Sequence, residues 1–286
     1  MKRCAPILKT TECSPDLREW IPSTFANFLR EREHLSKQCD GDDPVVLYRG
    51  HTDNNWLLDC TLVRSVLQHS HQRWNGYPRP LQFHTQMVDI LLAKFGRFWR
   101  PSHEAVEKES THGLDPWYEL MKKFQQYAEH DTDPKGTFLV DWTLDSDIAL
   151  YFATYDGRGD FRRARQTPGA VWVCDPVPTG NVHQTTKLQD LLALMRGDDF
   201  RLKAERTLPL ILHPPKQTEM LRATNQKPVY FSQMDFRCDL ADSWCSVEST
   251  TQSAVFRKLI LKESLLRDSI EHLQRHGGTE ERVYPE

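Results

Sequence analysis

The chain has 286 residues, with 37 basic against 40 acidic side chains and a net charge of −3. That length suffices for one large domain or two small ones and for a real buried core. The near-neutral balance gives no electrostatic reason to expect nucleic acid as an obligatory partner.

No apolar run approaches the roughly 18 residues needed to cross a bilayer. The opening MKRCAPILKT carries only a short apolar stretch, so no secretory signal and no membrane contact are expected. The expectation is a soluble, cytoplasmic chain. Cysteines at 4, 13, 39, 60, 174, 238 and 245 are odd in number and form no CxxC pair. That argues for free thiols in a reducing compartment rather than a disulfide framework or a structural zinc site. The histidines show no HExxH-like spacing, so no metal is expected.

In chain order, residues 1–21 lack periodicity. Ser23 or Thr24 can cap a short helix through Phe25, Phe28, Leu29 and Arg32. An acidic loop from Cys39 to Pro44 precedes the strand Val45–Gly50, which carries Arg49 at its far end; Gly50 is read as a turning point, and His51–Asn55 as a polar loop. Leu81–Trp99 and the stretch after Pro116 (Trp117, Leu120, Met121, Phe124) have helical periodicity. The arginine-rich segment from Gly157 to Pro168 reads as a basic loop, solvated or in contact with a polyanion. Gly169–Asp175, Leu208–Leu212, Pro228–Ser232 and Val255–Leu261 read as strands, and Leu188–Met195 as a short helix. Ser264 is expected to cap a terminal helix through Leu273 that ends at Gly277 and Gly278.

The most informative stretch is Lys135–Asp156. An apolar strand through Leu139 and Val140 reaches the polar corner Asp141-Trp142-Thr143. Asp145 or Ser146 can cap a following helix in which Ile148, Phe152 and Tyr155 share a face, with Ala149 and Ala153 beside them. Small residues let a helix lie close on a sheet, and polar groups at such a corner can face a cleft. The same residues, Asp141 and Thr143, also serve well simply to tie off the turn. Strands and helices do not alternate as in a doubly wound sheet, so the fold class is α+β with mixed or antiparallel sheets. GxSxG, GxxxxGK[ST] and strand-GxGxxG-helix motifs are absent.

Tyr48-Arg49-Gly50, followed by Trp56 and Arg64, resembles the opening signature of the FRG-domain family, named for its Phe/Tyr-Arg-Gly motif. Leu139-Val140-Asp141-Trp142-Thr143, then Ala149-Leu150-Tyr151-Phe152-Ala153, is similar to that family's Leu-Leu-Asp-Trp-Thr strand and Ala-Leu-x-Phe-Ala helix. Arg222, Gln226 and Phe231 resemble its Arg-x-x-x-Gln-x-x-x-x-Phe element. Gly277-Gly278-Thr279 through Val283-Tyr284-Pro285 is like its ending. The chain departs from the family lead-in by placing Gln126 where a His is usual and Phe138 where an Arg is usual. On this resemblance, residues 1–44 are an N-terminal extension with a short helix, and 45–286 are an FRG-like domain with a helical insertion at about 80–130.

The layout of that family is similar to the ADP-ribosyltransferase fold, which implies split mixed or antiparallel sheets with flanking helices and NAD in a cleft between them. It implies NAD as a substrate, an ADP-ribose acceptor that is protein or nucleic acid, and a toxin or phage-defence role. Arg49, Thr143, Glu219 and Gln226 are the implied catalytic set. Tyr48, Arg49, Gly50, Asp141, Trp142, Thr143 and Arg222 are the implied NAD-binding set. Gln217-Thr218-Glu219 has the Gln-x-Glu spacing of many such transferases, whereas the FRG-like alignment brings Gln226 to the strand position. Trp56, Trp142 and Tyr48 either wall the cleft or pack in the core. Two other readings stand beside this one. The first is a non-catalytic module on the same fold that binds a nucleotide or nucleic acid, with the Arg158–Arg165 loop supplying phosphate contacts. The second is a protein-interaction partner docking through residues 14–130.

Overall fold

The computed structural model describes residues 19–37, 46–64, 137, 139–155, 168–175, 210–212, 225–233, 239–243 and 256–284. Short β-branched and aromatic runs become strands: β1 (Glu19–Trp20), β2 (Leu47–His51), β3 (Leu139–Thr143), β4 (Gly169–Cys174), β5 (Leu210–Leu212), β6 (Pro228–Ser232) and β7 (Phe256–Leu261). Between and after them lie α1 (Phe25–Lys37), α2 (Ser146–Thr154), α3 (Leu240–Ser243), α4 (Leu266–Arg275) and α5 (Glu280–Val283), with a 3-10 turn at Glu263–Leu265. The fold is α+β. The expected helices at 81–99, 117–124 and 188–195, and the basic loop, lie outside the described residues.

The strands form one mixed sheet in the order β1-β7-β4-β2-β3-β6-β5. β1 runs parallel to β7, and every other pairing is antiparallel. The expectation of two separate sheets is therefore corrected to one continuous sheet, but that sheet is nearly divided. β2 is zipped to β4 from Leu47↔Cys174 to His51↔Ala170, and β3 to β6 from Leu139↔Ser232 to Thr143↔Pro228. Between β2 and β3 the ladder holds at Tyr48↔Thr143 alone.

Alternation sends Val46, Tyr48, Val171, Val173, Leu259 and Leu261 to one face, where they form a core with α1, α2 and α4. Trp142, Phe231, Phe256 and Trp172 form an aromatic cluster, with Trp142 and Phe231 centroids 5.0 Å apart. Thr24 caps α1 by accepting from the Asn27 backbone N–H (3.1 Å), and Phe28 of that helix is fully buried against Phe25. Truncating a Phe so placed costs about 3–5 kcal/mol. With β1 added to the sheet, residues 19–37 pack as part of this fold. The two-residue β1 carries no periodic pattern of its own, which is why residues 1–21 read as structureless.

Asp145 caps α2, accepting from the Asp147 backbone N–H. Gly50 is not a turning point, as expected from sequence, but an interior residue of β2. A Cβ there would sit 1.9 Å from the Ala149 carbonyl oxygen and 2.7 Å from the Ala153 nitrogen. Its hydrogen side chain is what lets α2 lie directly on the strand. Gly169 does the same on β4, where a Cβ would lie 2.2 Å from the Ala153 carbonyl oxygen. Ser264 does not cap α4. That helix begins after the 3-10 turn, with Leu265 at its N-cap and no side-chain bond. It ends as expected, with Gly277 at φ +71° and the Gly278 N–H donating to the Leu273 carbonyl (2.7 Å).

Candidate functional site

Along β2, Leu47, Arg49 and His51 share one face while Tyr48 and Gly50 face α2. Extending the ladder from Tyr48↔Thr143 would place Gly50 opposite Asp141. The strands part there instead, and the Arg49 guanidinium fills the opening. Its Nη1 donates to the Asp141 carbonyl oxygen, and its Nε donates to His51 Nε2 at 3.0 Å. Nη2 has no partner among the described residues. Burial pulls the Arg49 pKa down to about 10; the Asp141 carboxylate opposes that shift and Arg64 adds to it. The group therefore stays cationic at neutral pH.

Above the opening lies a cavity of about 240 Å³. Tyr48, Arg49 and Gly50 from β2 form one side, and Asp141, Trp142 and Thr143 from β3 form another. Ile148, Ala149 and Phe152 of α2 cover it, and Gln226, Pro228 and Tyr230 close the far wall. The structure thus brings seven of the sequence-predicted residues to one cavity. Glu219 and Arg222 lie outside the described residues, as do Gln126 and Phe138. Trp56 is not part of the lining and is 47% exposed.

Thr143 and Gln226 both make structural bonds here. The Thr143 hydroxyl donates to the Gln226 carbonyl (2.6 Å) and accepts from the Asp145 N–H (2.9 Å), which ties off the β3–α2 corner. The Gln226 amide donates to the Val283 carbonyl (3.0 Å), and its neighbour Asn225 donates to the Arg282 carbonyl (2.9 Å), so the pair holds α5 against the rim. Lys227 has a left-handed backbone, φ +44°. Its Nζ shares Asp145 Oδ2 with Arg282, at 3.1 and 2.8 Å. The first turn of α2 is pinned from behind, where Asp147 Oδ1 binds Arg32 (2.7 Å) and His272 (3.2 Å). Burial raises the Asp147 pKa, but the bonds and charges of Arg32 and His272 outweigh it and hold the carboxyl below its usual value.

His51 was read from sequence as the start of a polar loop. It is the last residue of β2 and only 2% exposed, with its ring edge-on to Trp56 and Trp172. The alternation Leu47-Arg49-His51 is the signal that would have placed it. Burial, followed by the charges of Arg49 and Arg64, lowers its pKa well below 6.5, so the ring is neutral. Cys60 is no candidate nucleophile, because burial pushes its thiol up to about 12. No His/Cys/Asp/Glu group among the described residues could hold a metal ion. No described helix is long and apolar enough to cross a membrane.

The arrangement offers a cation with an unpartnered donor edge, a carboxylate at Asp141 and an aromatic surround. Together these can bind an anionic ligand that carries a ring or sugar. A family model described as FRG domain matches residues 45–160, a span that includes β2, β3 and α2, hence the opening and most of the cavity wall. It ends before β6, so the later motif at Gln226 and Phe231 and the C-terminal motif rest on their residues alone. No curated protein and no solved structure matches the chain.

Proposed function

We propose, starting from the FRG domain over residues 45–160, that the chain uses NAD as a substrate and transfers its ADP-ribose to a protein or nucleic-acid acceptor. The observation that carries this reading is the Arg49 guanidinium, anchored at Nε and Nη1 with Nη2 left for a ligand, inside a cavity that also holds a carboxylate. A guanidinium is the side chain best suited to a pyrophosphate, being planar and always charged. The cavity is smaller than the roughly 300–1,000 Å³ of drug-sized sites, at about 240 Å³. It therefore takes one end of the dinucleotide, and the remainder lies across the mouth.

In the reaction the C1′–N bond breaks and nicotinamide leaves with the electron pair. The acceptor's nucleophile bonds to C1′ and loses its proton. Positive charge develops on the ribose, and a carboxylate close by stabilises it. Asp141 is an acid lining the cavity; Glu219 or Gln226 is the proposed group facing the reacting ribose, and Arg222 a further ligand contact. Tyr48, Phe152 and Tyr230 supply apolar surface for the ring. NAD labelled on its adenine is the test reagent. Incorporation into cellular protein or nucleic acid, with release of nicotinamide, is expected. The absence of both label transfer and NAD consumption, under every acceptor condition, contradicts the reading.

A second reading, a non-catalytic nucleotide- or nucleic-acid-binding module, is favoured by a specific observation. The Thr143 hydroxyl and the Gln226 amide nitrogen are both committed to internal bonds. It predicts affinity for NAD or nucleic acid without turnover, and for nucleic acid a steep loss of affinity with salt.

A further inference from the structure

We infer that His51 is a positioning residue: its Nε2 holds the Arg49 guanidinium in the sheet opening with one edge turned to the cavity. For its ligand the inference rests on the nucleotide reading above; for the geometry it does not.

A guanidinium on a flexible side chain turns about its own bonds unless it is held at two points. Arg49 is held at Nη1 by the Asp141 carbonyl and at Nε by His51, 3.0 Å away. The two anchors come from different strands, so the guanidinium plane follows the geometry of the opening. The imidazole is itself closely surrounded. It is 2% exposed, stands edge-on to Trp172 (6.4 Å) and Trp56 (6.0 Å), and belongs to the residue that ends the β2–β4 ladder opposite Ala170. Trp172 is in turn covered by Lys258, whose Nζ lies 5.4 Å from its ring centre.

Because Nε2 accepts from Arg49, the ring proton resides on Nδ1. A protonated ring would set N–H against N–H and place a second cation beside Arg49, so only the neutral ring can perform this role.

The role is tested first in the wild-type protein. In a uniformly ¹⁵N-labelled sample, the Arg49 side-chain Nε–H, assigned by its loss in Arg49→Lys, should exchange slowly and show scalar coupling across the hydrogen bond to His51 Nε2. A rapidly exchanging Nε–H with no such coupling overturns the inference, whatever NAD does. His51→Gln can offer an acceptor oxygen in the same place, whereas His51→Leu cannot. The protected Nε–H should survive in His51→Gln and vanish in His51→Leu. NAD affinity should stay within about threefold of wild type in the first and fall about tenfold or more in the second. Equal NAD affinity and equal Nε–H protection in both variants contradict the inference. If wild type shows no NAD binding, the nucleotide reading fails, and the Nε–H signals alone decide the role of His51.

Discussion

β2 is bonded on both sides, yet its two sides behave differently. Toward β4 the ladder is complete and α2 lies pressed on it through Gly50 and Gly169. Toward β3 it holds at one residue pair, and beyond that pair the Arg49 side chain takes the place of backbone hydrogen bonds. The closed side is built for stability. The open side leaves Arg49 Nη2 without a partner among the described residues, and its geometry is kept by the closed side next to it.

The largest expected effect comes from breaking the closed side. In Gly50→Val the new Cβ meets backbone atoms of α2, which no rotamer change relieves. We expect a loss of about 3 kcal/mol or more in chemical denaturation, or failure to fold. A stability close to wild type would mean that α2 does not press on β2 as described.

Next is the pin behind α2. Asp147→Asn weakens its bonds to Arg32 and His272, both partly buried, and should cost about 1–2 kcal/mol at neutral pH. The Asp147 carboxyl lies below its usual value when folded, so its contribution is present above the unfolded pKa near 3.8. That contribution is lost as pH falls through the lower folded value, and the wild-type and variant stability curves should converge there.

A smaller effect sharpens the open side. His51 and His272 both bind protons less readily when folded, His51 because of burial and the Arg49 charge, His272 chiefly because of burial. The unfolded chain therefore takes up more protons as pH drops below about 6.5, and stability should decline from there downward. His51→Gln should make that decline shallower in equilibrium denaturation measured from pH 7 to 5. An unchanged slope would mean that His51 is not buried as a neutral ring. The smallest effect is at the rim. Lys227→Gly removes the left-handed strain and an exposed ion pair worth little, and should change stability by less than about 1 kcal/mol, toward stabilisation.

Much of this arrangement is legible locally. The apolar run, the capping Asp145 and the helical spacing place β3 and α2 in order as the sequence reads them, but Asp141-Trp142-Thr143, read as the polar corner, are the last three residues of β3. The meeting of Arg49 with Asp141 and Thr143 was readable only through the family resemblance, because no local pattern specifies which strands become neighbours. What was missed depends on tertiary contacts. Gly50 looks like a turn residue until α2 is placed on it. His51 looks like a loop residue until β4 extends the strand past Gly50. The rim clamp, in which Asn225 and Gln226 grip α5, joins residues 57 positions apart and leaves no periodic trace.

The most direct test of the central claim, that the sheet opening presents Arg49 to a nucleotide, is calorimetric titration of NAD into the wild-type protein and into Arg49→Ala, each first shown to be folded. Saturable binding to the wild type, weakened at least tenfold in the variant, is the predicted result. Equal affinity in the two proteins, or no heat of binding in the wild type at millimolar NAD, would contradict it.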